Sequence, residues 1–262
     1  MAFKLDDFVI DRIIYGVAES FDGDLLYVLT QLSDASINVT AESKDAVDMN
    51  GTLIKRFYTG KSGEFSATNT MLNFNILGAQ SGSGKELASS AKPIIMPKVV
   101  RVGTGDTLTM AGYVTDSVKV YGLSTNGTMG KEYTKGTAAS ATQYAVSTAG
   151  VLTAPTSDAE DQLFIVKYDR NVTEGIAVRN SADKFPGTVK LTLKVLGIDP
   201  CSADTVRAMY VEFPSFQVSP EVDLSLTTDA GIAFNGTLQT DYCSTDKALY
   251  NIYFAPEDTE ED

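Results

Sequence analysis

The chain has 262 residues, 43% of them hydrophobic, enough to bury a core without metals or disulfides, as one large β domain or two smaller ones. Its 34 acidic and 21 basic side chains leave a net charge of −13, which excludes a protein that grips nucleic acid by neutralising phosphates, although a like-charged surface lets a polyanion slide past. Histidine is absent, and with it go the commonest general base, the serine-triad base and the commonest metal ligand.

The opening residues, Met1-Ala2-Phe3-Lys4-Leu5-Asp6-Asp7, lack the basic and apolar regions of a signal peptide, and no later run reaches the roughly 18 apolar residues of a spanning helix. The expectation is a soluble protein made in a cytosol, without membrane contact. Asp22-Gly23-Asp24 lacks the further spaced oxygens and closing Glu of a calcium loop and reads as a hairpin turn. The run Leu25-Leu26-Tyr27-Val28-Leu29 is a strand, followed by a polar break at Ser33-Asp34 and a second strand through Ile37-Asn38-Val39. Asn50-Gly51 signals a tight turn, Leu53, Ile54, Phe57 and Tyr58 suit a further strand, and Thr59-Gly60-Lys61-Ser62-Gly63 reads as the next turn.

Residues 68–80 form the one helix of any length in this reading, capped by Thr68, Asn69 or Thr70, with Leu72, Ile76 and Ala79 on one face; a strand over residues 72–76 is the competing reading. Ala79-Gln80-Ser81-Gly82-Ser83-Gly84-Lys85-Glu86 loosely matches a phosphate loop, but Glu86 stands where Ser or Thr must hold magnesium. It reads as a Gly/Ser turn.

Beyond Pro93 and Pro97 the chain becomes rich in Thr, Ser, Gly and Ala, with short strands at Thr107-Leu108-Thr109-Met110 and Val118-Lys119-Val120-Tyr121, a loop-like tract over residues 136–158, and a dense central strand at Leu163-Phe164-Ile165-Val166-Lys167-Tyr168. This texture suggests a small β-sandwich insert, immunoglobulin-like, over residues 99–169, dividing a main β domain into residues 1–98 and 170–255. In the last third, residues 189–196 alternate Val and Leu with Lys and Thr, predicting one buried face and one wet face. Residues 222–227, 232–238 and 249–254 supply further strands, and residues 256–262 read as a disordered acidic tail.

Cys201 and Cys243 lie far apart without CxxC spacing and read as reduced thiols. Asn-x-Ser/Thr matches at Asn38, Asn50, Asn126, Asn171 and Asn235 read as turn chemistry. No carboxylate pair stands out for acid–base work, and the Tyr and Phe residues are not interleaved with Arg and Lys as a base-stacking groove requires. The sequence therefore offers no catalytic, cofactor-binding or metal-ligating residue, implies no cofactor, and points to a mainly β, non-enzymatic protein that works by making contacts.

Lys61-Ser62-Gly63-Glu64-Phe65-Ser66-Ala67-Thr68-Asn69 runs into a helix and a Gly/Ser turn, residues 163–169 form a dense strand, Lys184-Phe185-Pro186-Gly187 precedes a long strand, and residues 214–224 follow it. In this order the pieces resemble the tail tube (major tail) proteins of tailed bacteriophages. The resemblance implies an antiparallel β-sandwich or barrel-like protomer with one flanking helix, six copies closing a ring by strand pairing, and rings stacking into a tube for DNA ejection. Implied partners are the protein itself, other tail proteins, and DNA passing by repulsion rather than specific binding; the implied location is the virion tail, assembled in the host cytoplasm. The resemblance names no lumen-facing residue. Two other readings fit the same sequence: a capsid or head-decoration component of the virion, and a carbohydrate- or cell-surface-binding β-sandwich module.

Overall fold

Alternating apolar and polar residues, broken by Gly, Asn and Asp, put 59% of this computed structural model into strands. It describes residues 7–124, 127–156, 159, 161–200, 202–227, 231–242 and 245–259. In chain order the elements are β1 (Val9–Glu19), β2 (Leu25–Thr30), β3 (Leu32–Val47), β4 (Leu53–Asn69), α1 (Phe74–Gln80), β5 (Lys85–Leu87), β6 (Ile94–Gly103), β7 (Thr107–Thr109), β8 (Lys119–Leu123) and β9 (Met129–Gly136). They continue with β10 (Gln143–Val146), β11 (Val151–Thr153), β12 (Leu163–Val172), β13 (Ile176–Val178), β14 (Thr188–Asp199), β15 (Ser202–Val218), β16 (Ile232–Leu238) and β17 (Asn251–Thr259).

Contacts divide the chain into two compact units, one formed by residues up to Lys85 together with those from Val178 onward, the other running from Glu86 to Ala177. The expected boundaries at 98/99 and 169/170 fall inside β6 and β12, which pair along their whole length from Leu163↔Gly103 to Val172↔Ile94. A ladder of that length cannot be cut in the middle, so the chain crosses between units outside it, where β5 and β13 pair as a short ribbon. Just past β5, the Ala88 N–H donates to the Gly175 carbonyl at 2.9 Å.

The first unit is a nearly closed, barrel-like antiparallel sheet in the order β2-β1-β14-β15-β16-β4-β3, with β17 added to β15. Its interior is filled by Phe65, Phe213, Phe216 and Phe234, whose ring centroids lie 5.1 to 6.4 Å apart, and by Leu191, Leu193, Val211 and Ile76. Each such ring contributes about 1.5–3 kcal/mol by burial. Strand β15 accommodates Pro214 through a bulge: Val189 faces Phe216 and Leu191 faces Phe213, so Pro214 and Ser215 together oppose Lys190. On its other side β15 pairs β17 from Arg207 to Glu212 and β16 from Phe216 to Val218. Proline, which has no N–H, sits where one partner gives way to the other.

Several expectations are corrected here. Residues 59–63 do not turn; β4 continues through them, paired with β3 from Glu42↔Gly60 to Val39↔Gly63. Gly63 is there for close packing, since a Cβ at that position would stand 2.9 Å from Leu238 Cδ1. The helix exists but is shorter, and Thr68 and Asn69 belong to β4. Its cap is Asn73, whose side-chain oxygen accepts from the N–H groups of Asn75 at 2.8 Å and Ile76 at 3.4 Å. Residues 222–227 form no strand despite their alternation. Pro256 to Thr259, expected in the acidic tail, continue β17, and residues 260–262 lie outside the described residues.

The second unit is a seven-stranded arrangement in the order β6-β12-β8-β9-β10-β11-β7. It contains the one departure from antiparallel pairing among the described ladders, β9 with β10. Phe164, Val166 and Tyr168 of the central β12 meet Val120, Tyr133, Tyr144 and Leu152 in its own core. Tyr133 stands edge-on to Phe164 at 5.1 Å, and the buried Tyr144 hydroxyl donates to the Val118 carbonyl at 2.9 Å. The tract over residues 136–158, expected as loop, holds β10 and β11, too short to give a periodic signal.

Candidate assembly surface

The most unusual surface of the barrel unit is the outer part of the β3–β4 hairpin. Strand β16 supports β4 only from Gly63 to Asn69. Beyond that, among the described residues, Leu53 to Ser62 pair with β3 alone and β3 ends the sheet without a further strand partner. An isolated two-stranded ribbon is marginal in water. The register of this one is set by a turn at its tip and an ion pair beside it. At the tip, the Asp48 carboxylate accepts from the N–H groups of Asn50 at 2.9 Å and Thr52 at 2.8 Å, while Gly51 takes φ +82° as the turn requires. The ion pair is Arg56 on Asp45, with Nε to Oδ1 at 2.7 Å and Nη2 to Oδ2 at 2.9 Å.

Both faces of this arm carry large apolar side chains. Phe57 and Tyr58, neighbours in a strand and so on opposite faces, are 52% and 71% exposed, and Met49 at the tip is 98% exposed. Lys55 covers part of Phe57, its ammonium 5.3 Å from the ring centroid. The hydrogen bonds that Arg56 donates hold the Asp45 carboxyl below the usual carboxylate range and raise the already high value of Arg56 itself. Backbone hydrogen bonds, first from Thr52, lower Asp48 likewise.

A second surface is the face of β1, β14, β15 and β17 that points away from the barrel interior. Here Lys190 Nζ lies 2.6 Å from Glu212, which also accepts from the Tyr253 hydroxyl at 3.0 Å and the Asn251 amide at 3.3 Å. Partial burial pushes the Glu212 carboxyl up, but its bonds from Lys190, Tyr253 and Asn251 outweigh this and hold it below its usual value. The same pair raises Lys190. One register step along, Tyr15, Lys194, Tyr210 and Tyr253 stand opposite one another across the four strands. Lys194 is only 4% exposed and Leu196 is fully buried, so the face of β14 expected to be wet is covered at this end.

The remaining sequence candidates fall out as follows. Ala79 to Glu86 run from the end of α1 through Gly82 and Gly84, at φ +66° and +70°, into β5. This is helix, loop, strand, the reverse of a phosphate loop, which opens a helix. Asn38, Asn171 and Asn235 lie within strands rather than turns; Asn50 is in the hairpin turn, and Asn126 lies outside the described residues. Cys201 and Cys243 also lie outside them. Among the described residues no helix is long and apolar enough to cross a membrane, and no group of three or more His, Cys, Asp or Glu side chains is arranged to hold a metal ion. The arm was missed in the sequence because the supposed turn over residues 59–63 cut it short. No local signal in the sequence reveals it, because the pairing of β4 with β3, which carries on across a register shift at Glu42/Ser43, is a property of the folded sheet.

These features define a β protein built around contact surfaces. The model of the YomU/Tube protein family matches residues 9–250, and the chain belongs to that family. It is a structural protein of a bacteriophage tail tube, placed in the virion tail, whose partners at that level are copies of itself and other tail proteins. Comparison with individual curated proteins returns no match.

Proposed function

We propose that six copies of the chain close into a ring, that rings stack into a hollow tube assembled in the host cytoplasm, and that the tube conducts DNA during ejection without catalysis, cofactor or membrane contact. The observation that carries this reading is the arm. Among the described residues Leu53 to Ser62 have a single strand partner, and they expose apolar side chains on both faces, so the ribbon gains from burial against another molecule. A neighbouring protomer supplies that setting in a ring, where an open strand edge becomes a joint. The net charge of −13 supports a wall that repels phosphates and leaves DNA mobile. The inserted unit, immunoglobulin-like in this proposal, decorates the outside of the tube.

Negative-stain electron microscopy of the purified protein across a concentration series tests the proposal. Rings or hollow tubes of uniform diameter are expected. A protein that remains a dispersed monomer at the highest concentration, also when tail initiator proteins are added, overturns it.

A further inference from the structure

The inserted unit carries a small pocket that tube formation leaves without a use. It holds about 220 Å³, and Tyr113, Asp116, Lys119, Lys135 and Tyr144 are among its lining residues. Two of these walls are aromatic and held in place. The buried Tyr144 is anchored through its hydroxyl, which donates to the Val118 carbonyl at 2.9 Å. The Tyr113 ring rests against Gly150, at φ +75°, where a Cβ would stand 2.9 Å from ring atom Cε1, so a residue without a side chain leaves room for it.

Asp116 is the residue that folding alone does not explain. Val114 to Ser117 form a turn closed by the Ser117 N–H, which donates to the Val114 carbonyl at 3.2 Å, and Asp116 at the third position takes φ +66°. Glycine suits that position, and a side chain there costs backbone energy. Within the protein the carboxylate gains little in return. Its side chain is 83% exposed, and Lys135 Nζ stands 3.8 Å from Oδ1, beyond hydrogen-bond length.

The charges around the pocket are balanced: Glu132 neutralises Lys119 at 2.9 Å, and Asp116 and Lys135 offset each other. An anion would meet the Asp116 carboxylate and a cation would meet two ammonium groups, so neither is favoured. A hydroxyl is both donor and acceptor, and can give its proton to Asp116 while accepting from Lys135, bridging a pair too far apart to bond directly. The negative face of an aromatic ring attracts the C–H groups of the same ligand. Uncharged, rich in hydroxyls and with a C–H face, the ligand so described is a sugar ring.

We propose that this pocket binds one uncharged sugar residue of a glycan, with Asp116 and Lys135 taking its hydroxyls and Tyr113 its C–H face. The site lies wholly within the inserted unit and does not depend on ring or tube formation.

Saturation-transfer NMR observed on the ligand tests it, since the method serves monomers and assemblies alike. The full chain is titrated separately with glucose, galactose, mannose and N-acetylglucosamine, and with the charged analogues glucuronate and glucosamine. At least one of the four uncharged sugars is expected to bind saturably and at least tenfold more tightly than either charged analogue. Asp116→Gly removes the carboxylate while relieving the backbone, so its unfolding midpoint is expected to equal or exceed that of the unaltered chain while binding weakens at least tenfold. Lys135→Gln, at an exposed position, is expected to weaken binding likewise at an unchanged midpoint. Saturable binding by none of the four sugars overturns the inference; so does a charged analogue that binds as tightly as the best of them, or full binding by either variant.

Discussion

Arg56 faces Asp45 on the neighbouring strand and donates to it two parallel hydrogen bonds, 2.7 and 2.9 Å long, in a stretch of ribbon with no third strand among the described residues. Because the pair is open to water, its worth lies in geometry rather than in charge alone, and it fixes which cross-strand residues meet near the tip.

The depressed Asp45 carboxyl sets the sign of its pH dependence. A carboxylate that titrates lower in the folded arm than in the open chain contributes stability above its unfolded value, and that contribution is lost as pH falls through the folded value. Carboxyl-carbon NMR titration is therefore expected to show Asp45 below the ordinary value of about 3.9, and Arg56→Gln to return it there. Amide exchange at Lys44 and Lys55 is expected to speed up relative to intrinsic rates only over the acidic window in which Asp45 protonates. An Asp45 midpoint unchanged by Arg56→Gln contradicts the assignment.

Gly60 and Gly63 lie three residues apart in one strand, and only Gly63 is expected to respond to alanine. At Gly63 the new methyl meets Leu238, 2.9 Å from Cδ1 and 3.1 Å from Cβ, whereas at Gly60 nothing stands within 4 Å. Gly63→Ala should cost about 1–3 kcal/mol through overpacking. Gly60→Ala should leave the barrel transition within about 0.5 kcal/mol. Calorimetric midpoints of the two variants check this, and equal midpoints would remove the packing explanation for Gly63.

Phe57→Ser together with Tyr58→Ser removes apolar surface from both faces of the arm while touching none of the barrel core. Thermal unfolding is expected to be unchanged to within about 1 kcal/mol. Tube formation, scored by microscopy, is expected to be lost. Normal tubes from this variant would take the arm out of the joint.

Replacing residues 89–174 with an Asn-Gly turn between Ala88 and Gly175 tests the independence of the inserted unit, because those two residues are already hydrogen-bonded neighbours. The shortened chain is expected to keep the barrel transition and to form tubes. A folded but non-assembling product would place the inserted unit among the joints.

Much of this architecture is legible in the chain, and what is not has identifiable physical causes. Strands β12, β14 and β16 announce themselves because each spends its apolar residues on core positions such as Phe164, Leu191 and Phe234. Strand β15 hides because Pro214 and Ser215 break its period, a bulge that only the neighbouring strand can justify. Residues 59–63 mislead because glycine serves turning and close approach alike, and the side chain of Leu238 that decides between them is remote in sequence. Residues 222–227 mislead in the other direction: their alternation is genuine, but alternation declares a preference for a sheet without naming whose sheet it is. Of the candidate surface, the Asn50-Gly51 tip is readable locally, whereas the lack of a third strand beside Phe57 and Tyr58 is a property of the assembled sheet.

The ribbon made by β5 and β13 brings the chain back beside the point where it left. Entry and exit through adjacent hydrogen-bonded strands make this place a socket: a foreign domain whose own ends lie close together can be spliced in there without altering the length or register of any barrel strand. Evolution can exchange the cargo of such a socket independently of the wall that carries it, and the same property makes the protomer a ready carrier for displaying unrelated domains at a regular molecular spacing.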